Sequence, residues 1–152
     1  MRIPLLTLAL TITAMAPAHA ATTEEDCAAL WASADANGDG TLDANESARY
    51  VASLRVAEQP APDGGVITQA RFQEYCGEGY FDVAAAEPGA PFEGANSFTE
   101  GQARDRVLAA GYTNVSALVQ DDAGIWRGTA ETGGKTTNVA VDFKGNVVAT
   151  DR

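Results

Sequence analysis

The chain has 152 residues, and its 10 basic and 21 acidic residues give a formal net charge of −11 at pH 7. A chain this acidic is repelled by polyanions, which argues against nucleic acid and anionic membrane surfaces as partners. It contains one histidine, His19, and two cysteines, Cys27 and Cys76. The chain therefore has few of the imidazole and thiol groups that commonly act in catalysis.

The first twenty residues have the pattern of a secretory signal peptide. Arg2 precedes an apolar stretch over 3–15, and the Ala-His-Ala triplet at 18–20 suits cleavage after Ala20. The apolar stretch is too short to cross about 30 Å of hydrocarbon as a helix, so we expect no membrane span. The sequence predicts a signal peptide over 1–20 and a periplasmic or secreted protein.

The two cysteines are expected to be joined after export. An oxidising compartment favours a disulfide between Cys27 and Cys76, whereas the alternative is two buried free thiols. With His19 removed and both thiols oxidised, the chain would lack the commonest general base and a good nucleophile. We therefore expect that the protein is not an enzyme, with a carboxylate-based extracytoplasmic hydrolase as an alternative.

Residues 35–46 carry oxygen atoms at a spacing suited to a calcium ion. Ca²⁺ prefers about six to eight oxygen ligands, and Gly40 at position 6 can adopt the conformation that reverses the chain around it. A solvated turn would explain the Asp, Asn and Gly content, but not the glutamate at position 12 or the apolar Leu42 at position 8. The candidate metal ligands, at positions 1, 3, 5, 7, 9 and 12, are Asp35, Asn37, Asp39, Thr41 (through its carbonyl), Asp43 and Glu46.

Apolar residues recur at helical spacing on both sides of this loop. They predict an entering helix over 23–34, with Thr23 as its N-cap, and an exiting helix over 43–58. The helix–loop–helix pattern over 23–58 resembles the EF-hand calcium-binding family. That resemblance implies that the loop binds Ca²⁺, and that a second hand follows.

A second, degenerate loop is predicted after the exiting helix. Aligning Ile67 with Leu42 places Gly65 at position 6 and Arg71 at position 12, where a cation replaces the carboxylate ligand. We expect a short antiparallel contact between Leu42 and Ile67, a helix over 69–76, and one helix shared by both loops. An unrelated turn followed by a helix is the alternative reading. The predicted EF-hand domain covers 21–76.

A linker and a second unit follow. Residues 77–96 are small, acidic and rich in Pro and Gly, which is typical of a linker. Thr99 and Gln102 then form a capping box at the start of a helix that ends at Gly111. Alternating residues and glycine-containing turns predict a helix laid on an antiparallel sheet. The predicted strands cover 115–120, 125–131, 136–143 and 146–149.

The second unit resembles PepSY-type domains over 97–150. The matching features are Ala110-Gly111-Tyr112, the Gly-Ile-Trp-Arg-Gly segment at 124–128 and the ending at 141–148. This resemblance implies a domain over 97–152 that binds or inhibits a protein partner and brings no catalytic residue.

The sequence therefore predicts an α+β fold, in which a helical EF-hand domain precedes a small helix-on-sheet domain. The expected function is calcium binding outside the cytoplasm, with Ca²⁺ in a mainly structural role and a protein-interaction module at the carboxyl end. A dockerin-like adhesion or scaffold module shares the Asp-x-Asn-x-Asp-Gly opening and is the alternative. Dockerins carry two functional loops, usually with Asp at position 12, whereas this chain has Glu46 there.

Overall fold

A computed structural model describes residues 22–82 and 89–150, so the predicted signal peptide over 1–20 lies outside the described residues. The described residues form four α-helices and two antiparallel sheets, which confirms the mixed α+β class. Within these two ranges, no helix has both the length and the apolar character needed to cross a membrane.

The first half is built from three helices and a two-stranded sheet. Helix α1 begins at a capping box in which the Thr23 hydroxyl accepts the Asp26 N–H, and the Asp26 carboxylate accepts the Thr23 N–H. The first helix therefore starts where the sequence predicts. The elements are α1 (Glu24–Ala34), β1 (Thr41–Leu42), α2 (Ala48–Val56), β2 (Ile67–Thr68) and α3 (Gln69–Gly77).

Strands β1 and β2 join the two loops of this half. They are antiparallel, with Leu42 opposite Ile67 and Thr41 opposite Thr68. The side chains of Leu42 and Ile67 are fully buried. The contact that the sequence predicts between these two residues is present, and α2 is the single helix between the two loops.

Helix α2 is shorter than the predicted span of 43–58. The Asp43 carboxylate accepts the N–H groups of Asn45 and Glu46, and the Asp43 carbonyl accepts the Ser47 N–H, so these residues form a capped turn ahead of the helix. The Ser47 hydroxyl donates to the Gly65 carbonyl instead of capping the helix. Helical structure therefore begins only at Ala48.

Aromatic rings and a disulfide hold the first half together. The Phe72 ring lies 4.8 Å from Tyr50 and 5.3 Å from Trp31, in edge-to-face arrangements that stabilise aromatic pairs. Phe81 joins the same cluster although it belongs to the predicted linker over 77–96. The predicted disulfide is confirmed, since Cys27 of α1 is bonded to Cys76 of α3.

Replacing both Cys27 and Cys76 by alanine should lower the free energy of unfolding by about 4 kcal/mol, because the bond constrains an unfolded segment with a separation of 49 residues. Urea denaturation measures the change. A reducing agent should shift the midpoint of the wild type and leave that of the double variant unchanged. Equal midpoints for the double variant and the oxidised wild type would contradict this prediction.

The second half lays one helix across a four-stranded sheet of order β3-β4-β5-β6. The Thr99 and Gln102 capping box starts the helix, as the sequence predicts. Ala103 and Val107 of this helix pack with sheet residues such as Val139 in one buried cluster. The elements are α4 (Glu100–Ala109), β3 (Val119–Gln120), β4 (Trp126–Thr132), β5 (Lys135–Val141) and β6 (Val147–Thr150).

The first predicted strand of this half, over 115–120, is wrong except at its last two residues. Side chains of α4 take the backbone groups that a strand would pair. The Arg104 guanidinium donates to the Val115 carbonyl at 2.6 Å, and the Glu100 carboxylate accepts the Leu118 N–H at 3.0 Å. Val115 and Leu118 can therefore both face the core, three residues apart.

A buried carboxylate shapes the turn between β5 and β6. Asp142 is fully buried and accepts hydrogen bonds from the N–H groups of Phe92, Lys144 and Asn146, and from the Asn146 amide. Burial raises the pKa of Asp142, but these donors together outweigh it and hold the pKa below the ordinary 3.8. The turn is thus organised around a charged group.

Asp142→Asn should lower the free energy of unfolding by about 1–3 kcal/mol, because the amide cannot satisfy the same donors. The pKa of Asp142 is lower in the folded state than in the unfolded state. The ionised carboxylate therefore stabilises the fold at pH values above 3.8, and this stabilisation is lost as the pH falls through the pKa of the folded state. Denaturation as a function of pH should show that the variant lacks this part of the acid sensitivity. Asp122→Asn, on an exposed turn, is the control and should change little.

The two halves touch through α2 and α4. Ala52 of α2 and Ala109 of α4 are fully buried, yet neither belongs to the core of its own half. The Arg55 guanidinium is 3.1 Å from the Asp105 carboxylate across the same contact. Small side chains let these helices approach closely, and α2 is consequently buried on two faces.

Candidate metal centre

The candidate loop starts at the carboxyl end of α1. Trp31 is 7% exposed, and its carbonyl accepts the Asp35 N–H at 2.9 Å. Asp35 is the C-cap of the helix. The first predicted ligand is therefore positioned by a buried aromatic residue one helical turn earlier.

The Asp35 carboxylate holds the first half of the loop in place. One oxygen accepts the N–H groups of Gly38 at 2.8 Å and Asp39 at 3.2 Å, and the other accepts the Gly40 N–H at 3.1 Å. Gly40 has φ of +83°, a left-handed conformation that glycine tolerates. A carboxylate has about four acceptor sites, so these bonds leave Asp35 with capacity for a cation.

Asn37 and Asp39 are linked to each other and to the next turn. The Asn37 side-chain oxygen accepts the Asp39 N–H at 2.8 Å, and its amide donates to the Asp39 carboxylate at 3.1 Å. The hydroxyl and the N–H of Thr41 both donate to Asp39 at 2.8 Å. These bonds from Thr41 lower the pKa of Asp39, which keeps the carboxylate ionised.

Glu46 connects the end of the loop to its beginning. One oxygen of its carboxylate accepts the Ala36 N–H, and the other accepts the Asp43 N–H, each at 3.1 Å. Ala36 is ten residues earlier in the chain and directly follows Asp35. The carboxylate at position 12 therefore lies against the same short loop as the carboxylate at position 1.

The donor chemistry of these residues suits a hard cation such as Ca²⁺, since it consists of carboxylate and amide oxygens with the Thr41 carbonyl. Across residues 22–82 and 89–150, however, no group of three or more His, Cys, Asp and Glu side chains is placed to hold a metal ion. The carboxylates turn toward N–H groups of the loop's own backbone. That the six predicted ligands converge on one centre stays a prediction.

The second loop has different chemistry. The second loop contains a short 3₁₀ turn over Asp63–Gly65 in place of the side-chain hydrogen bonds that organise the first loop. Gly64 and Gly65 in this turn both have positive φ. Arg71, the residue aligned with Glu46, pairs with the Glu74 carboxylate at 2.7 Å on its own helix.

Sequence reasoning missed the part that Ser47 plays next to the candidate site. Ser47 is fully buried and connects the end of the first loop to Gly65 in the second. Its position before a helix suggests an ordinary N-cap, so nothing in the local pattern indicates a partner eighteen residues away.

Comparison with known proteins adds no relative. No family model matches the chain, and no curated protein or solved structure matches it either.

Gly40→Ala should lower the free energy of unfolding by about 1–2 kcal/mol, because an alanine at φ +83° is strained. No atom lies within 4 Å of the added methyl group, so the cost comes from the backbone alone. Gly77→Ala is the matched control, since it also adds a methyl in open space but without positive φ. Chemical denaturation should separate the two variants, and equal effects would contradict the prediction.

Proposed function

We propose that this protein binds one calcium ion outside the cytoplasm through the loop over 35–46, and that the ion has a structural role. The observation that carries the proposal is the placement of Glu46. Its carboxylate is hydrogen-bonded to the loop's second residue, Ala36, so the acidic groups at both ends of the loop belong to one compact turn.

Electrostatics supports a divalent cation in this loop. Asp35, Asp39, Asp43 and Glu46 place four carboxylates within twelve residues, and these like charges repel one another. Bound Ca²⁺ would supply positive charge that relieves this repulsion.

The surroundings of the loop favour a structural role over a sensing role. The Cys27–Cys76 bond ties α1 to α3, and α2 is packed against both the aromatic core and α4. Helices constrained in this way have little freedom to open. Extracellular EF-hand sites bind with dissociation constants of about 10⁻⁴–10⁻³ M, and an ion that binds only the folded state stabilises it.

Export is part of the proposal. The disulfide supports an oxidising compartment, since such bonds are rare in the cytosol. The signal-peptide pattern at 1–20 points the same way.

The second half is proposed as a protein-interaction module. Val119, on the edge strand β3, is 69% exposed, and Phe92 is 53% exposed. Single exposed apolar side chains are ordinary on protein surfaces, so the proposal rests on the resemblance of residues 97–150 to PepSY-type domains. Trp126 and Arg127 serve the fold, because the Trp126 indole donates to the Phe98 carbonyl and Arg127 pairs with Asp121.

Chelating calcium should lower the melting temperature of the wild type by about 3–6 °C, because the linked stabilisation is about 1.4 kcal/mol when calcium is at ten times its dissociation constant. Asp35→Ala and Glu46→Gln should each respond little to calcium or chelator. Asp63→Asn removes one charge from the second loop and is the control, which should respond like the wild type. Thermal denaturation measures all four proteins.

Calorimetric titration separates the structural role from a sensing role. We expect one site with an affinity in the range of extracellular EF-hand modules. Sub-micromolar affinity with a large change in hydrodynamic radius would favour a sensor. The absence of both binding heat and a calcium adduct in native mass spectra at millimolar calcium would remove the proposal.

A further inference from the structure

A cavity of about 420 Å³ lies between the two halves, next to the candidate metal loop. One wall is formed by the end of the loop and the start of α2, including Glu46 and Arg49. The other is formed by the end of α4 and the turn after it, including Leu108, Tyr112 and Asn114. Its volume is within the range of sites that bind small ligands, about 300–1,000 Å³.

Among the described residues that line this cavity, Arg49 is the only cationic one. Among the arginines in the described residues, Arg49 alone has a guanidinium without a hydrogen bond or ion pair. Its guanidinium lies against Gly111, where a Cβ would be 3.7 Å from the Arg49 Cζ. The other described arginines are bound to carboxylates (Arg55, Arg71, Arg127) or backbone carbonyls (Arg104, Arg106).

The rest of the cavity defines the ligand further. A guanidinium binds a planar carboxylate through two parallel hydrogen bonds. Leu108 and Tyr112, which pack against the core of the second half, offer apolar surface in the same cavity. We propose that this inter-half cavity binds a carboxylate carried on a short apolar body, as in a small organic acid or the carboxyl end of a peptide.

Glu46 connects this cavity with the calcium loop. Glu46 is the only acidic residue among the described ones that line the cavity, and its charge opposes an anionic ligand beside Arg49. If Ca²⁺ binds as proposed above, it offsets the charge of Glu46 and of the neighbouring loop carboxylates. Calcium should then tighten carboxylate binding, and the ligand should tighten calcium binding by the same factor. Only this coupling rests on the proposed function.

Calorimetric titration of the mature full-length chain with 3-phenylpropionate tests the proposal, and acetyl-phenylalanine tests the peptide-like source. In the presence of calcium we expect saturable binding of one or both acids. The uncharged analogue 3-phenylpropionamide should not bind. Arg49→Gln should weaken binding about tenfold or more, because a charge-assisted hydrogen bond is lost. The affinity of Arg49→Lys should lie between those of the wild type and Arg49→Gln, because a lysine ammonium keeps the charge but cannot bind both carboxylate oxygens in the planar geometry of a guanidinium. Arg71→Gln removes the same charge outside the cavity and should change affinity less than twofold.

Calcium dependence is measured on the same proteins. Chelator should weaken binding to the wild type about threefold, and Glu46→Gln should bind equally well in calcium and in chelator. Failure of both acids to saturate, or full binding by Arg49→Gln, would overturn the carboxylate site. Equal affinity in calcium and chelator, for a wild type whose melting temperature responds to calcium, would overturn the coupling. A melting temperature insensitive to calcium would remove the proposed function, and Arg49-dependent binding would still support the carboxylate site.

Discussion

The burial of α2 on two faces is the constraint on which the rest of the structure depends. One face places Tyr50 and Leu54 in the aromatic core that the disulfide closes. Another face packs on α4 with Ala52 fully buried. Since α2 begins two residues after Glu46, the end of the acidic loop is fixed to both halves at once. A conformational change at the end of the loop would therefore displace the start of α2 and alter its contact with α4.

The loop itself is organised by local hydrogen bonds rather than by burial. Asp35 and Glu46 lie at opposite ends of the loop, and the carboxylates of both accept hydrogen bonds from backbone N–H groups of the loop. These bonds fix each carboxylate against the backbone of the loop. The Leu42–Ile67 pair ties the middle of the loop to a buried layer. The charged groups of the loop therefore lie at the surface, and the buried Leu42–Ile67 pair sets the register of β1 against β2.

Features with local causes could be predicted from the sequence. The capping boxes at Thr23 and Thr99 need only residues three apart, and the loop ligands lie within twelve residues. The strand over 115–120 failed because Arg104 and Glu100 of α4 take its backbone groups, a non-local effect that alternation does not reveal. The cavity was equally hidden, because its walls come from two segments about sixty residues apart. Whether the ligand oxygens converge depends on side-chain orientation, which spacing alone does not determine.

Phe81 and Phe92 anchor the two ends of the segment between the halves. Phe81 is inserted in the first core, and the Phe92 ring lies 3.9 Å from the Lys144 ammonium of the second half. Eleven residue steps separate them, which limits their separation to about 40 Å even in a fully extended chain. Each half thus experiences the other at a high effective concentration. Re-docking after a transient opening is therefore intramolecular, and its rate is independent of how dilute the protein is.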